Sequence, residues 1–167
     1  VEFSVPYLLN DLSVLTHKSS QIKQIEDLSG KKILYTKGTT SEEYKKSGNI
    51  NAEWIECGGK IECFNMLQND EADAYMSINV IIANLELDDE NIELSIPRVG
   101  GSSSQTCVGA LKGNKELISE VDKAIFKLSD SGFFTQQYTD YLEPYFQNTV
   151  GKNYLILEGF YKTLQFK

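Results

Sequence analysis

The 167-residue sequence lacks most of what would define an easy class. No apolar run approaches the about 18 residues that a membrane-crossing helix needs; the best stretch, 80–85, is far shorter, so direct membrane insertion is not expected. Basic residues are few: 16 Lys and Arg face 24 Asp and Glu, the net charge is −8, and Arg98 is the only arginine. Such a chain offers no counter-charge to a phosphate backbone or an anionic membrane, which argues against nucleic acid as a partner. Histidine occurs once, at His17, and the cysteines form no CxxC, so no metal site is expected. Cys57, Cys63 and the remote Cys107 read as three small buried residues, with a Cys57–Cys63 bridge as the alternative. There is no GxGxxG, no GxxxxGK[ST] and no GxSxG, and Cys107 has no imidazole nearby in sequence. Neither a catalytic residue nor a cofactor is expected. The sequence begins without Met or an apolar leader, which reads as a processed or excised piece.

What is present is an alternation of strand and helix patterns. Segments 14–16, 32–35, 54–55, 72–76 and 92–96 read as strands, the last ended by Pro97. Between them, 39–46 opens with Thr39-x-x-Glu42, a capping-box pattern. Ile61, Phe64 and Leu67 recur at helical spacing, and 79–85 reads as an apolar helix. Beyond the Gly- and Ser-rich stretch 100–104, a strand is expected over 107–111. Leu117, Ile118, Val121, Ala124, Ile125 and Leu128 then form a helical stripe. Gly132 suits a helix C-cap, and Phe133, Phe134, Tyr138 and Tyr141 read as helix and core packing. The tail 147–167 is open between strand and helix. Repeated β-α units predict an α/β fold with a mostly parallel sheet flanked by helices.

Five short motifs occur in one order: Phe3-Ser4-Val5-Pro6-Tyr7; Asp27-Leu28-Ser29-Gly30-Lys31; Gly38-Thr39-Thr40; Ala72-Asp73-Ala74-Tyr75; and Gly109-Ala110-Leu111-Lys112-Gly113-Asn114 with Leu117. Over about 1–146 the chain resembles the bacterial extracellular solute-binding proteins of polar amino acid ABC uptake systems, with the type II periplasmic binding fold. The resemblance implies two α/β lobes joined by two crossover strands that close on a small-molecule solute. Residues 1–9 and 97–146 would be the hinge strands and part of lobe 1, residues 10–96 lobe 2, and 147–167 an extension or linker. The amino-terminal half of lobe 1 would be missing, with its aromatic shelf and carboxylate-binding arginine. The resemblance also implies an extracytoplasmic location, and as partner a membrane permease or a fused signalling domain.

Gly38, Thr39, Thr40 and Ser41 are the leading ligand candidates: hydroxyls and free amides at a helix start suit a carboxylate. Ser77 and Asn79 follow a strand, at the end where open α/β sheets bind ligands. For Asn79, a helix-capping role is the alternative. Tyr7 flanks a crossover and is expected to line the cleft or to pack in the core. Amino-acid binders of this kind carry an aspartate five residues beyond the match to Asp73, where it takes the ligand ammonium; here that position is Ile78. Two other readings stand beside solute binding. One is an interaction or scaffold domain that has lost its solute, the other a dehydratase-like enzyme with Asp73 or Glu56 as its acid or base.

Overall fold

A computed structural model describes residues 1–147 and 149–158. The chain divides into two compact units: Asp11–Ser103, and Val1–Asn10 together with the chain from Ser104 onward. Among the described residues the strands are β1 (Glu2–Phe3), β2 (Leu8–Asn10), β3 (Leu12–His17), β4 (Lys32–Thr36), β5 (Glu53–Cys57), β6 (Ala74–Ile78), β7 (Ile92–Ile96), β8 (Ser104–Thr106) and β9 (Gly109–Ala110). The α-helices are α1 (Thr40–Lys46), α2 (Lys60–Gln68), α3 (Asn79–Ile82), α4 (Lys115–Asp130), α5 (Phe133–Gln137) and α6 (Glu143–Phe146).

Unit Asp11–Ser103 is built on a five-stranded sheet ordered β5-β4-β6-β3-β7. β4 pairs in parallel with β5 and β6, whereas β3 is antiparallel to both β6 and β7. Four strands therefore run one way and β3 alone runs the other, a mixed sheet that is mostly parallel. Both faces are covered, so the central strands β4 and β6 carry near-continuous apolar runs, whereas the outer β5 and β7 carry Glu or Ser between apolar residues. On one face Leu15, Leu34 and Tyr75 pack with Cys63, Phe64 and Leu67 of α2 and Ile82 of α3. On the other, Val14, Ile33 and Met76 pack with Leu28 from a 3-10 turn and with Tyr44 of α1. The apolar helix expected over 79–85 is shorter: α3 ends at Ile82, and a 3-10 turn Leu85–Leu87 follows.

The cysteine expectation is overturned. Cys57 and Cys63 form a disulfide, with Cα atoms 5.4 Å apart, and Cys107 is free. β5 ends at Cys57, Gly58-Gly59 turns the chain, and α2 brings Cys63 back one turn later. This reversal makes a spacing of six compatible with a bridge. Closing so short a loop is worth about 2 kcal/mol through the unfolded chain.

In the other unit α4 turns only part of the expected stripe inward: Ile118 and Ile125 are buried and Val121 is partly buried, but Leu117, Ala124 and Leu128 are exposed. Val121, Ile125 and Phe126 pack with Val5, Tyr7, Leu9, Phe134 and Leu157. β2 pairs with β8 and β1 with β9, both antiparallel. Of the strand expected over 107–111 only 109–110 forms, as β9, while β8 lies just before it in a stretch not expected as strand. Gly132 takes the left-handed conformation (φ 79°) that ends α4 and starts α5, as a residue without Cβ can do cheaply. Phe134 and Tyr138 are packed inside, but Tyr141 is exposed. Val150, Leu155 and Leu157 are buried, and Leu9 N–H donates to the Leu155 carbonyl (2.9 Å). The tail as far as 158 therefore packs on its unit; residues 159–167 of the expected extension or linker lie outside the described residues.

Candidate functional site

Four neighbouring strands set up an edge of the sheet in unit Asp11–Ser103. Thr36, last in β4, is in register with Cys57, last in β5. Leu34 is level with Tyr75 of β6, so two residues further Thr36 is level with Ser77. β3 begins at the same edge, with Leu12 opposite Ile78 and Ser13 opposite Ser77. The ends of β4 and β6 therefore bring Gly38, Thr39, Thr40 and Ser41 to the same edge as Ser77 and Asn79. Tyr7 is not among them: it belongs to the other unit, where its ring packs on the Ile125–Leu157 cluster.

The loop after β4 is hydrogen-bonded within itself. Gly38 has φ 75°, which a side chain would strain. Thr39 Oγ1 donates to the Thr36 carbonyl (2.6 Å), so the Ser41 hydroxyl is left to donate to Thr39 Oγ1 (2.8 Å). The expected capping box is absent. Thr39 makes no side-chain cap, and Glu42 reaches one residue further back than expected, its carboxylate accepting from Gly38 N–H (2.7 Å). Together with Lys46, that amide holds the Glu42 carboxyl below its ordinary pKa. Glu42 is thus an internal anion on the amide that the sequence reading offered to a ligand.

At the end of β6, Ser77 is buried. Burial raises the Tyr75 phenol above its ordinary pKa, and hydrogen bonds with Ser77 and Thr36 partly offset that shift. Asn79 is also buried; its N–H donates to the Asp11 carbonyl (2.9 Å) and its side-chain oxygen accepts from Val80 N–H (2.7 Å). That bond satisfies an amide of the first turn of α3, but Asn79 is the first helical residue and Ile78 holds the cap position, so the capping alternative is not met. Ile78 is partly buried against the cluster of Leu12, Val14 and Met76.

Sequence reasoning held the disulfide at this edge only as an alternative, and missed one feature outright: Asp11, 1% exposed, whose carboxylate is paired with Arg98 Nε (2.9 Å) and accepts a short hydrogen bond from Ser103. Ser102 joins the same corner, accepting from Leu12 N–H (2.9 Å) and donating to the Val99 carbonyl (2.6 Å). The only arginine is therefore committed to a buried aspartate. A lone Arg is a weak signal in a sequence, because its partner lies 87 residues away.

Asp73 lies at the opposite edge, where its carboxylate accepts from Lys32 N–H (2.8 Å). That edge also carries a polar cavity of about 710 Å³ lined by His17, Ser20, Asp27, Lys31 and Asp70. It is remote from the Gly38–Ser41 loop along the strands, so pocket size and the convergence of candidate residues point to different ends of the sheet. The carboxyl edge is preferred on the binding geometry of open α/β sheets. No group of His, Cys, Asp and Glu suited to a metal ion occurs among the described residues.

The cysteine-binding protein of Campylobacter jejuni superposes on 95% of the chain with a TM-score of 0.81 and 29% identity, over 64% of its own length. The chain has the type II periplasmic binding fold. Two relatives of known role share this likeness. The glutamine-binding protein of a Bacillus subtilis ABC transporter is 26% identical over 86% of the chain and 52% of its own length. The L-glutamate/L-aspartate-binding protein of Pseudomonas aeruginosa is 31% identical over 79% of the chain and 45% of its own length. The relatives of this binding fold are thus amino-acid-binding proteins rather than enzymes. The chain spans about half the length of the curated relatives it matches. No protein-family model matches it.

Proposed function

We propose that the chain is part of an extracytoplasmic solute-binding protein that holds a small amino-acid-like or carboxylate solute and presents it to a membrane permease. One observation carries the reading. In a fold shared with amino-acid-binding proteins, the carboxyl edge of the sheet gathers Gly38, Thr39, Thr40, Ser41, Ser77 and Asn79, six residues 36 or more positions apart at their two groups. The Gly38 amide is taken by Glu42 and the Thr39 hydroxyl by Thr36, so the hydroxyls of Thr40 and Ser77 are the groups at that edge that suit a carboxylate. The disulfide supports an oxidising, extracytoplasmic compartment, where such bonds persist.

The solute's other end meets different chemistry. Ile78 accepts no hydrogen bond, and the carboxylate of Asp11 is already engaged by Arg98 and Ser103. An ammonium left at Ile78 without a partner is unfavourable by several kcal/mol, on the order of the cost of any unpaired buried charge. The solute therefore carries no amine at this position, or its amine is held by other residues. Neither an enzyme nor a fused signalling domain is favoured by a specific observation. Asp73, a candidate acid for an enzyme, lies at the other edge of the sheet.

Thermal denaturation of the full-length protein with single amino acids and small carboxylates tests the reading. A solute at a hundred times its Kd stabilises the native state by about 2.7 kcal/mol, a clear rise in Tm. If no member of the panel raises Tm, solute binding is wrong, and the interaction or scaffold alternative takes its place.

A further inference from the structure

The disulfide sits at the root of the candidate loop. Cys57 and Cys63 are 2% and 0% exposed. Thr36 is level with Cys57 in the sheet, and its hydroxyl donates to Cys63 Sγ (3.5 Å). Cys57 Sγ lies 3.3 Å from the Tyr35 carbonyl oxygen; a bridged sulfur has no hydrogen, so this is a packing contact. From Thr36 the chain of bonds continues outward: the Thr36 carbonyl accepts from Thr39, which accepts from Ser41. The disulfide, Thr36, Thr39 and the buried Ser41 in the first turn of α1 thus form one connected path. Both cysteines belong to the core face beneath the loop, with Leu15, Leu34, Leu67 and Tyr75.

We propose that the Cys57–Cys63 disulfide positions the Gly38–Ser41 loop, so that its oxidation state sets the order of that loop and, through it, the affinity for solute. The part concerning affinity rests on the solute-binding reading above; the part concerning loop order does not. A dithiol reductant carries out the reduction in two steps. One of its thiolates attacks a cysteine sulfur, breaking the S–S bond and forming a mixed disulfide. The second thiolate then displaces the protein, leaving two cysteine thiols and a cyclic disulfide on the reductant, with two electrons and two protons transferred. Without the bridge, β5 and the start of α2 are held by Gly58-Gly59, by the Gly58 N–H bond to the Glu62 carboxylate and by packing, and the sulfur that Thr36 hydrogen-bonds loses its covalent tether.

Hydrogen exchange on the full-length protein tests this in two forms: wild type after dithiothreitol treatment, with reduction verified by a gain of two mass units, and the C57S/C63S variant. The expected result is at least about a tenfold loss of protection in peptides spanning 36–42, with those from β3 unchanged. Reoxidation of the reduced wild type restores it. Unchanged protection at 36–42 after verified loss of the bridge overturns the proposal. So does an equal loss in β3, because that is general destabilisation of the unit and not positioning of one loop. With a solute identified by the melting screen, Kd should weaken along with the local protection. An absence of any binding solute removes the affinity part and the functional reading, and leaves the exchange result to decide loop order alone.

Discussion

Ile78 ends β6 between two buried polar residues, Ser77 and Asn79, and its side chain packs against an apolar cluster. A carboxylate at that position would face the same edge as the Gly38–Ser41 loop and would offer an ammonium the partner it now lacks. Ile78→Asp in the full-length protein is expected to improve binding of an amino acid relative to its desamino analogue by about tenfold or more, on the scale of a charge-assisted hydrogen bond. Calorimetric titration with both compounds measures the ratio. An unchanged ratio would mean that residue 78 does not face the solute. Thr39 carries a second lesson at this scale. Its spacing to Glu42 predicts reciprocal capping, yet the hydroxyl turns back to Thr36 and the carboxylate bonds Gly38. Spacing shows which groups can reach each other, but several acceptors lie within reach of one short side chain.

Among the elements, α2 ends in a way the sequence leaves unmarked. Glu71 N–H donates to the Met66 carbonyl (3.0 Å) and Asp70 N–H to that of Leu67 (3.1 Å), the paired bonds of a Schellman ending. The left-handed residue this requires is Asp70, with φ 58°, where glycine is usual. The Asp70 carboxylate lies 3.3 Å from His17 Nε2, but its side chain is 86% exposed, so that pair contributes little. Asp70→Gly is therefore expected to stabilise the protein by about 0.5–1 kcal/mol through relief of backbone strain. Urea unfolding measures it, and a clear loss of stability would show that the His17 pair outweighs the strain. The β-α alternation of this unit was legible because burial on both faces leaves apolar runs in its central strands. β8 was not, because a strand of three residues carries almost no periodic signal, and β9 covers only two of the five residues expected.

Over the whole molecule, opposite shifts of acidic and phenolic groups bound the pH range of stability. Hydrogen bonds hold Asp27, Glu42 and Asp89 below their ordinary values of 3.8, 4.5 and 3.8: the Lys23 amide for Asp27, the Gly38 amide for Glu42 and the Gln68 side chain for Asp89. A carboxyl whose pKa is lower in the folded state stabilises it above the unfolded pKa, and that contribution is lost as pH falls through the folded one. Burial raises Tyr44, Tyr75 and Tyr138 above 10.0. Their contribution is complete below 10.0 and is lost as pH rises through the raised values. Tm is expected to hold a plateau from about pH 5 to about pH 9 and to fall on both sides. Melts across that range check it, and Tyr75→Phe should make the alkaline decline shallower. A flat alkaline limb in the wild type would contradict the shifts.

The amino-acid sequence by itself determined the α/β class, the two strand ends that meet at the candidate edge and part of the inward face of α4. Each of these follows from local periodicity or from residue types within a few positions of one another. Only the tertiary structure decided that Cys57 and Cys63 are joined, that Glu42 bonds Gly38, that Arg98 is committed to Asp11, and that Tyr7 packs in the other unit. The reason is common to all four. Each side chain had more than one partner its chemistry allowed, and the choice depended on which backbone segments the packed sheet and helices brought within bonding distance.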